Sequence, residues 1–126
     1  MLIAEDNRDG ADSLRHLIEA WGHRAEVTYD GRSAVMLAAS FHPDVVVMDI
    51  NMPIMDGYKA AKLLRDAHDQ VLLIAMTGTP LVETRAKARE AGFHHHFSKP
   101  VELDDLRRLL DSDSLDHLLP GFGLRD

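Results

Sequence analysis

The chain has 126 residues, which fits one domain, and its 14 Lys and Arg against 21 Asp and Glu give a formal net charge of −7. This acidic balance disfavours a nucleic-acid-binding domain, which usually carries a basic surface. The absence of cysteine excludes disulfides, thiolate catalysis and cysteine-based zinc sites. No apolar run approaches the roughly 20 residues of a membrane helix. No basic-then-apolar leader opens the chain, so we expect a cytoplasmic protein.

The first half of the chain alternates short apolar runs with longer amphipathic stretches. Met1–Ala4 is an apolar run that ends in two acidic residues, and it predicts the first strand. Asp9–Trp21 carries apolar residues at helical spacing and precedes Gly22, a common helix terminator. Ala25–Tyr29 predicts a weaker strand, and Ser33–Phe41 predicts the second helix. This alternation indicates βα units and a parallel sheet.

The second half continues the same alternation. Val45–Met48 is a continuous apolar run with three β-branched residues, which is typical of a strand buried on both faces. Asp56 is placed to cap a third helix that extends through Arg65. The remaining strands and helices are predicted, in chain order, at Val71–Met76, Leu81–Ala91, Phe93–Ser98 and Val101–Leu110. We expect residues 1–111 to form the domain and residues 112–126 a C-terminal tail or linker, with one helical turn around Leu115–Leu119.

Polar residues follow the predicted strands at their carboxyl ends. Glu5 and Asp6 follow the first strand and Asp49 follows the third, while Thr77 and Lys99 end the fourth and fifth. Ligands of open parallel sheets bind beyond these ends, where the strand order reverses. In the order 2-1-3-4-5 the three carboxylates share one rim, and such an acidic cup suits Mg²⁺. A hydroxyl and an ammonium beside it favour phosphoryl transfer onto an aspartate.

Five segments match the motifs of one known family in the correct order. These segments are Ile3–Asn7, Met48–Pro53, Met55–Gly57, Ala75–Gly78 and Ser98–Pro100. On these segments the chain resembles the receiver domain of bacterial two-component response regulators and hybrid sensor histidine kinases, over about residues 2–110. The resemblance implies a doubly wound, flavodoxin-like (βα)5 fold of class α/β, with a five-stranded parallel sheet in the order 2-1-3-4-5. The Glu5–Asn7 start and the Ala91–His96 stretch look most like receivers attached to hybrid kinases.

The resemblance implies a role for each residue of the acidic cup. Asp49 would be the phosphoacceptor, and Asp6 and Asp49 would bind Mg²⁺ directly. The backbone carbonyl of Asn51 would be a third protein ligand of the ion, and Glu5 would act through a bound water. The cofactor implied by the resemblance is therefore Mg²⁺.

The resemblance also implies roles for the residues that end the last two strands. Thr77 would hydrogen-bond one phosphoryl oxygen, and Lys99 would pair with another. The peptide bond between Lys99 and Pro100 is often cis in such proteins. The switch residue that works with Thr77 is usually Tyr or Phe, and His96 occupies that position here. The usual aromatic rotamer switch is therefore altered in this chain.

The implied function is phosphorelay signal transduction rather than enzymatic turnover. The domain would catalyse its own phosphorylation from a phosphohistidine and lose the phosphoryl group slowly. Its partner would be a histidine kinase or a histidine phosphotransfer protein, with no direct contact to nucleic acid or membrane. A homodimer through the fourth helix, fifth strand and fifth helix is a further expectation. The sequence leaves open whether the chain is a separate regulator or part of a hybrid histidine kinase.

Three other functions remain as alternatives. A phosphotransferase of the haloacid-dehalogenase type would place its nucleophile on the first strand and a second Asp two residues later, but Asn51 stands two residues after Asp49. A flavodoxin-like FMN carrier would need a hydroxyl-rich loop where Glu5 and Asp6 would repel a phosphate. A receiver-shaped interaction module without phosphorylation is disfavoured by the intact set of site residues.

A run of three histidines, His94–His96, stands in the fifth predicted strand. Successive strand residues point to opposite faces, so at most His94 and His96 could share a metal ion. Transition-metal sites need more protein ligands than two. We therefore expect no transition-metal site at this run, and the sequence leaves the role of the three histidines open.

Overall fold

The computed structural model describes residues 1–52, 54–67, 70–78 and 81–112. Five strands alternate with five helices in these residues. The elements are, in chain order, β1 (Leu2–Ala4), α1 (Arg8–Ala20), β2 (Glu26–Thr28), α2 (Gly31–Phe41), β3 (Val45–Asp49), α3 (Gly57–Ala67), β4 (Leu72–Thr77), α4 (Leu81–Ala91), β5 (His95–Ser98) and α5 (Leu103–Ser112). None of the described helices is long and apolar enough to cross a membrane. The helical turn predicted around Leu115–Leu119 lies outside the described residues.

The five strands form one parallel sheet in the order β2-β1-β3-β4-β5, which confirms the predicted fold class and strand order. The register places Ala4 of β1 opposite Met48 of β3. Asp49 of β3 in turn lies opposite Met76 of β4. The residues that follow β1 and β3 therefore leave the sheet side by side, at its carboxyl edge.

Helices cover both faces of the sheet, and the central strands are buried on both. Val46 and Met48 of β3 pack into one cluster with apolar residues of α2, α3 and α4. Val45 and Val47 face the other way and pack with apolar residues of α1 and α5. Burial of each such side chain stabilises the fold by about 1.5–3 kcal/mol. This two-sided core accounts for the continuous apolar run in the sequence of β3.

Strand β5 begins two residues later than predicted, at His95 instead of Phe93. The backbone N–H of Phe93 donates to the Ala88 carbonyl at the end of α4. The ring Nδ1 of His94 accepts the backbone N–H of Leu73 at 3.0 Å, and the backbone N–H of His94 donates to the Leu73 carbonyl at 2.8 Å. The paired residues of β4 and β5 begin with Ile74 and His95. The His94 ring thus connects the residue before β5 to β4.

Capping side chains explain where several helices begin. Asn7 Oδ1 accepts the Gly10 N–H at 2.9 Å and starts α1. Helix α2 begins two residues before the predicted Ser33, because Asp30 Oδ1 accepts the Ser33 N–H at 2.7 Å. Asp56 Oδ1 accepts the backbone N–H of the third residue after it at 2.9 Å, as predicted for α3. Helix α5 begins at Leu103, two residues later than predicted, and the other bounds shift by no more than two residues.

The single tryptophan of the chain lies between two helices on one face of the sheet. Trp21 follows the last residue of α1 and is half-buried. The guanidinium carbon of Arg107 on α5 lies 5.7 Å from the centroid of its indole ring. This cation–π contact connects α1 to α5.

Candidate functional site

Three carboxylates come together at the carboxyl edge of the sheet, where β1 and β3 end. Glu5, Asp6 and Asp49 each offer an oxygen, and these oxygens all lie within 4.8 Å of one another. Glu5 and Asp49 are buried, with 6% and 5% of their surface exposed, whereas Asp6 is exposed. We call these three residues the acidic cup. The structure thus brings together the three carboxylates that the sequence predicted to share one rim.

Lys99 supplies the positive charge that the two buried carboxylates need. Its Nζ donates to Glu5 Oε1 at 2.5 Å and to Asp49 Oδ2 at 2.9 Å. Burial alone would lower the pKa of Lys99, but the hydrogen bonds to Asp49 and Glu5 outweigh burial and raise the pKa above its usual value. The ammonium therefore stays charged at neutral pH and offsets part of the negative charge of the cup.

The backbone positions Lys99 against the acidic cup. Its N–H donates to the carbonyl of Thr77 at 2.8 Å, which joins the segment after β5 to the end of β4. The peptide bond between Lys99 and Pro100 is cis. The Lys99 side chain reaches across the edge of the sheet to Glu5 and Asp49.

Backbone amides satisfy the remaining oxygens of the buried carboxylates. Asp49 Oδ1 accepts the N–H of Asn51 at 3.0 Å. Glu5 Oε2 accepts the N–H of Asn7 at 3.2 Å. Each buried carboxylate therefore has a partner on both oxygens, which is the condition under which proteins tolerate buried charge. Asn51 itself is exposed, and its backbone lies beside Asp49.

The proximity of Glu5 changes the ionisation of Asp6. The side-chain hydrogen bond with Glu5 is the main cause that raises the pKa of Asp6, and burial and the negative charge of Glu5 raise it further. Crowded carboxylates of this kind favour either a shared proton or a bound cation. Oxygen ligands in close array are those that hard divalent ions prefer. The residues of the acidic cup therefore fit Mg²⁺.

Thr77 and His96 occupy the sheet on the far side of β3. Thr77 is the last residue of β4 and is fully buried. His96 lies on β5 opposite Ala75 and is half-buried. Burial lowers the pKa of His96, and the positive charge of Arg85 on α4 lowers it further. A neutral imidazole is therefore favoured at this position in the folded protein.

Two glycines allow the loop after β3 to pack closely, a role that the sequence alone does not predict. A Cβ on Gly57 would lie 2.6 Å from Ile50 Cα and 2.8 Å from the Asp49 carbonyl oxygen. A Cβ on Gly31, the first residue of α2, would overlap the Met55 carbonyl oxygen. The sequence signal was present in the Met55–Gly57 segment, but which atoms approach the glycines depends on the tertiary packing.

Comparison with known proteins agrees with this architecture. Residues 1–111 match the family described as the response regulator receiver domain. Response regulator MprA of Mycolicibacterium vanbaalenii is 34% identical over 106 residues, which are 84% of this chain and 46% of that protein. The chain therefore spans about half the length of this relative.

Solved structures of receiver domains share the fold. The receiver domain of a sensor histidine kinase from Pseudomonas aeruginosa PAO1, described with a magnesium ion in its active site cleft, is 30% identical with a TM-score of 0.78, covering 86% of this chain and 91% of that one. The receiver domain of a Saccharomyces cerevisiae response regulator, solved with its histidine phosphotransfer protein, is 24% identical with a TM-score of 0.84, covering 94% and 90%. With its sheet order, acidic cup and family match over residues 1–111, the chain belongs to the response regulator receiver domains.

Proposed function

We propose that Asp49 accepts a phosphoryl group from a phosphohistidine of a partner protein, in a reaction that requires Mg²⁺. The observation that carries this proposal is the placement of Asp49 beside two other carboxylates and under the ammonium of Lys99. Membership of the receiver family, whose signalling is by phosphorelay, supports it. The side chain is buried but lies at the edge of the sheet, where a donor can approach from one side.

The transfer step involves one new bond and one broken bond. A carboxylate oxygen of Asp49 attacks the phosphorus and forms an acyl phosphate. The bond from phosphorus to the donor imidazole breaks, and the imidazole nitrogen keeps the electron pair and takes a proton from solvent. Lys99 pairs with one phosphoryl oxygen, and the Thr77 hydroxyl donates to another. Both contacts stabilise negative charge where it gathers during the transfer.

The acidic cup would hold the metal ion. Asp6, Asp49 and the backbone carbonyl of Asn51 would be its protein ligands, and Glu5 would act through a bound water. When bound, the ion supplies positive charge that offsets the charge of the phosphoryl oxygens. A cation there would also offset the negative charge of Glu5, which is one of the lesser causes of the raised pKa of Asp6.

The same proposal extends to the readout, partner and setting of the domain. Thr77 and His96 would communicate phosphorylation to the face formed by α4, β5 and α5, through which a homodimer would form.

The partner is a histidine kinase or a histidine phosphotransfer protein in the cytoplasm, and the chain is a separate regulator or part of a hybrid kinase. Residues 1–111 are the receiver domain and residues 112–126 a tail or linker. The domain catalyses its own phosphorylation and loses the phosphoryl group slowly, without turnover of other substrates.

Acetyl phosphate with Mg²⁺, followed by intact mass measurement, tests the proposal. Wild type should gain one phosphoryl group, and Asp49→Asn should gain none. Asp56→Asn is the matched control, because Asp56 is an exposed aspartate that caps α3 outside the acidic cup. Labelling of Asp49→Asn at the wild-type rate would show that the acceptor is another residue. Labelling that persists in excess chelator would contradict the metal requirement.

A further inference from the structure

Ile54 has an unusual backbone conformation on the loop between β3 and α3. Its φ is 70°, in the left-handed region, and 76% of its surface is exposed. A β-branched residue rarely adopts positive φ, because its Cβ crowds the neighbouring carbonyl. The residue also leaves a large apolar side chain in water. Neither property stabilises the folded domain.

The rest of the loop explains how this conformation persists. Met52 is buried and Met55 packs against the same apolar cluster, so the loop is fixed to the core on both sides of Ile54. The N–H of Gly57 donates to the Ile50 carbonyl at 2.7 Å and closes the loop. Surroundings that determine the loop from both ends can hold a strained residue between them.

A glycine would satisfy this backbone at lower cost. At a backbone position with positive φ, Gly or Asn usually stands, because a β-branched side chain is crowded there. Ile54 is disfavoured both by its backbone conformation and by its exposure to solvent. Positions of this kind are typical of functional contacts. The feature thus needs an explanation outside the folded domain itself.

We propose that Ile54 is a docking residue for the protein that presents the phosphohistidine, and that it inserts into an apolar patch beside that histidine. This inference rests on the proposed function, since a donor imidazole must reach Asp49. Only 5% of the surface of Asp49 is exposed, and the loop that carries Ile54 leaves β3 directly after it. A protein surface that brings a histidine to this rim therefore covers the loop. Burial of an isoleucine there removes apolar area from water and favours the complex.

The test separates docking from chemistry and from stability. Phosphotransfer is measured from a purified, autophosphorylated histidine kinase, selected from a panel because it phosphorylates wild type. Ile54→Gly should lower kcat/KM for this transfer about tenfold or more, as expected for loss of a buried aliphatic contact. Labelling by acetyl phosphate should remain at the wild-type rate, and the urea midpoint should be equal to or above that of wild type. Ile54→Leu, which keeps an apolar side chain, should restore most of the transfer.

Met36→Ala is the matched control, because Met36 is 65% exposed on α2 and lies outside the loop. It should leave transfer from the kinase unchanged. Wild-type transfer rates in Ile54→Gly would overturn the proposal, and so would an equal loss of acetyl phosphate labelling, which would indicate damage to the site. If Ile54→Gly instead dissociates a wild-type dimer and leaves transfer intact, the residue binds a second copy and the proposal is wrong. Failure of wild type to label with acetyl phosphate would count against the proposed function instead.

Discussion

Lys99 Nζ donates to Asp49 Oδ2 at 2.9 Å, although the two residues are 50 positions apart in the chain. The same ammonium donates to Glu5, so one cation serves two buried carboxylates from β1 and β3. The contact therefore connects the first, third and fifth strands at the edge where the chemistry would occur. It also makes the fold and the site depend on the same charge.

Replacement of Lys99 tests this dependence. Lys99→Met leaves Glu5 and Asp49 buried without their cation, so we expect the free energy of unfolding in chelator to fall by about 1–3 kcal/mol. Addition of Mg²⁺ should restore more stability to the variant than to wild type, because the ion replaces the missing charge. Urea denaturation with and without Mg²⁺ measures both effects. Lys62→Met, at an exposed position on α3, is the control and should behave as wild type.

Mg²⁺ should stabilise the wild-type fold through the acidic cup. At a concentration ten times its Kd, the ion should raise the free energy of unfolding by about 1.4 kcal/mol. Thermal denaturation at increasing Mg²⁺ measures this gain. An unchanged melting temperature at millimolar Mg²⁺ would contradict the metal assignment of Glu5, Asp6 and Asp49.

Asp6→Asn should have opposite effects with and without metal. The raised pKa of Asp6 means that its ionised form destabilises the folded state, a cost that grows as pH rises above the usual value of 3.8 and persists at neutral pH. In chelator at pH 7 the variant should therefore be more stable than wild type, and the difference should vanish below about pH 4. With Mg²⁺ the order should reverse. Urea midpoints across this pH range measure the difference in stability. A variant that is less stable than wild type in chelator would contradict the claim that ionised Asp6 destabilises the folded state.

The close packing of the loop after β3 predicts a cost for a single methyl group. Gly57→Ala would place a Cβ 2.6 Å from Ile50 Cα, and we expect a loss of about 1–3 kcal/mol, as for other overpacked sites. Gly10→Ala on α1 is the control, because the three atoms nearest to a Cβ there belong to the Asn7 side chain and lie at 3.5 Å or more. This variant should be neutral or more stable by up to about 1 kcal/mol. Equal stability of the two variants would contradict the close packing of Gly57 against Ile50.

Thr77→Val tests whether the Thr77 hydroxyl transmits phosphorylation to α4 and β5, without leaving a cavity in the core. Thr77 is fully buried, and valine keeps its volume while it loses the hydroxyl. With beryllofluoride as the phosphoryl mimic, amide shifts of α4 and β5 should change in wild type and remain near their unliganded values in the variant. Persistence of the full set of shifts in Thr77→Val would exclude the hydroxyl from the switch.

His96 should make stability depend on pH. Its folded-state pKa is lowered by burial and by Arg85, so the unfolded chain binds the proton more readily. Stability should then fall as pH drops below the usual histidine value of 6.5, and His96→Tyr should fall less. Urea midpoints of the two proteins between about pH 5.5 and 7.5 isolate this group, because the other histidines titrate in both. Parallel pH profiles would contradict this prediction, because they would show that folding does not change the pKa of His96.

The fold could be predicted from the sequence because apolar runs and helical spacing depend on the residues themselves. Val45–Met48 had to be buried on both faces, and the structure confirms a strand there at the centre of the sheet. The meeting of Glu5, Asp6 and Asp49 followed from the strand order, since parallel strands end at one edge. The roles assigned to these residues remain predictions.

Other features depend on contacts that no local pattern contains. The His94 ring accepts a backbone N–H of β4, and this hydrogen bond forms only when residues distant in the sequence come together. The positive φ of Ile54 depends on how Met52 and Met55 fix the loop to the core. The sequence contains two residues that can cap the start of α2, Asp30 and Ser33, and only the structure shows that Asp30 does so.

The position of Trp21 determines what the intrinsic fluorescence of this chain reports. Helix α1 starts beside the acidic cup and runs back along the sheet, so Trp21 lies at the opposite edge from Asp49, under the guanidinium of Arg107. Its emission is a local probe of the seam between α1 and α5 and of unfolding. A change in emission on phosphorylation would therefore be a signal carried through that helical layer, over the whole length of the strands.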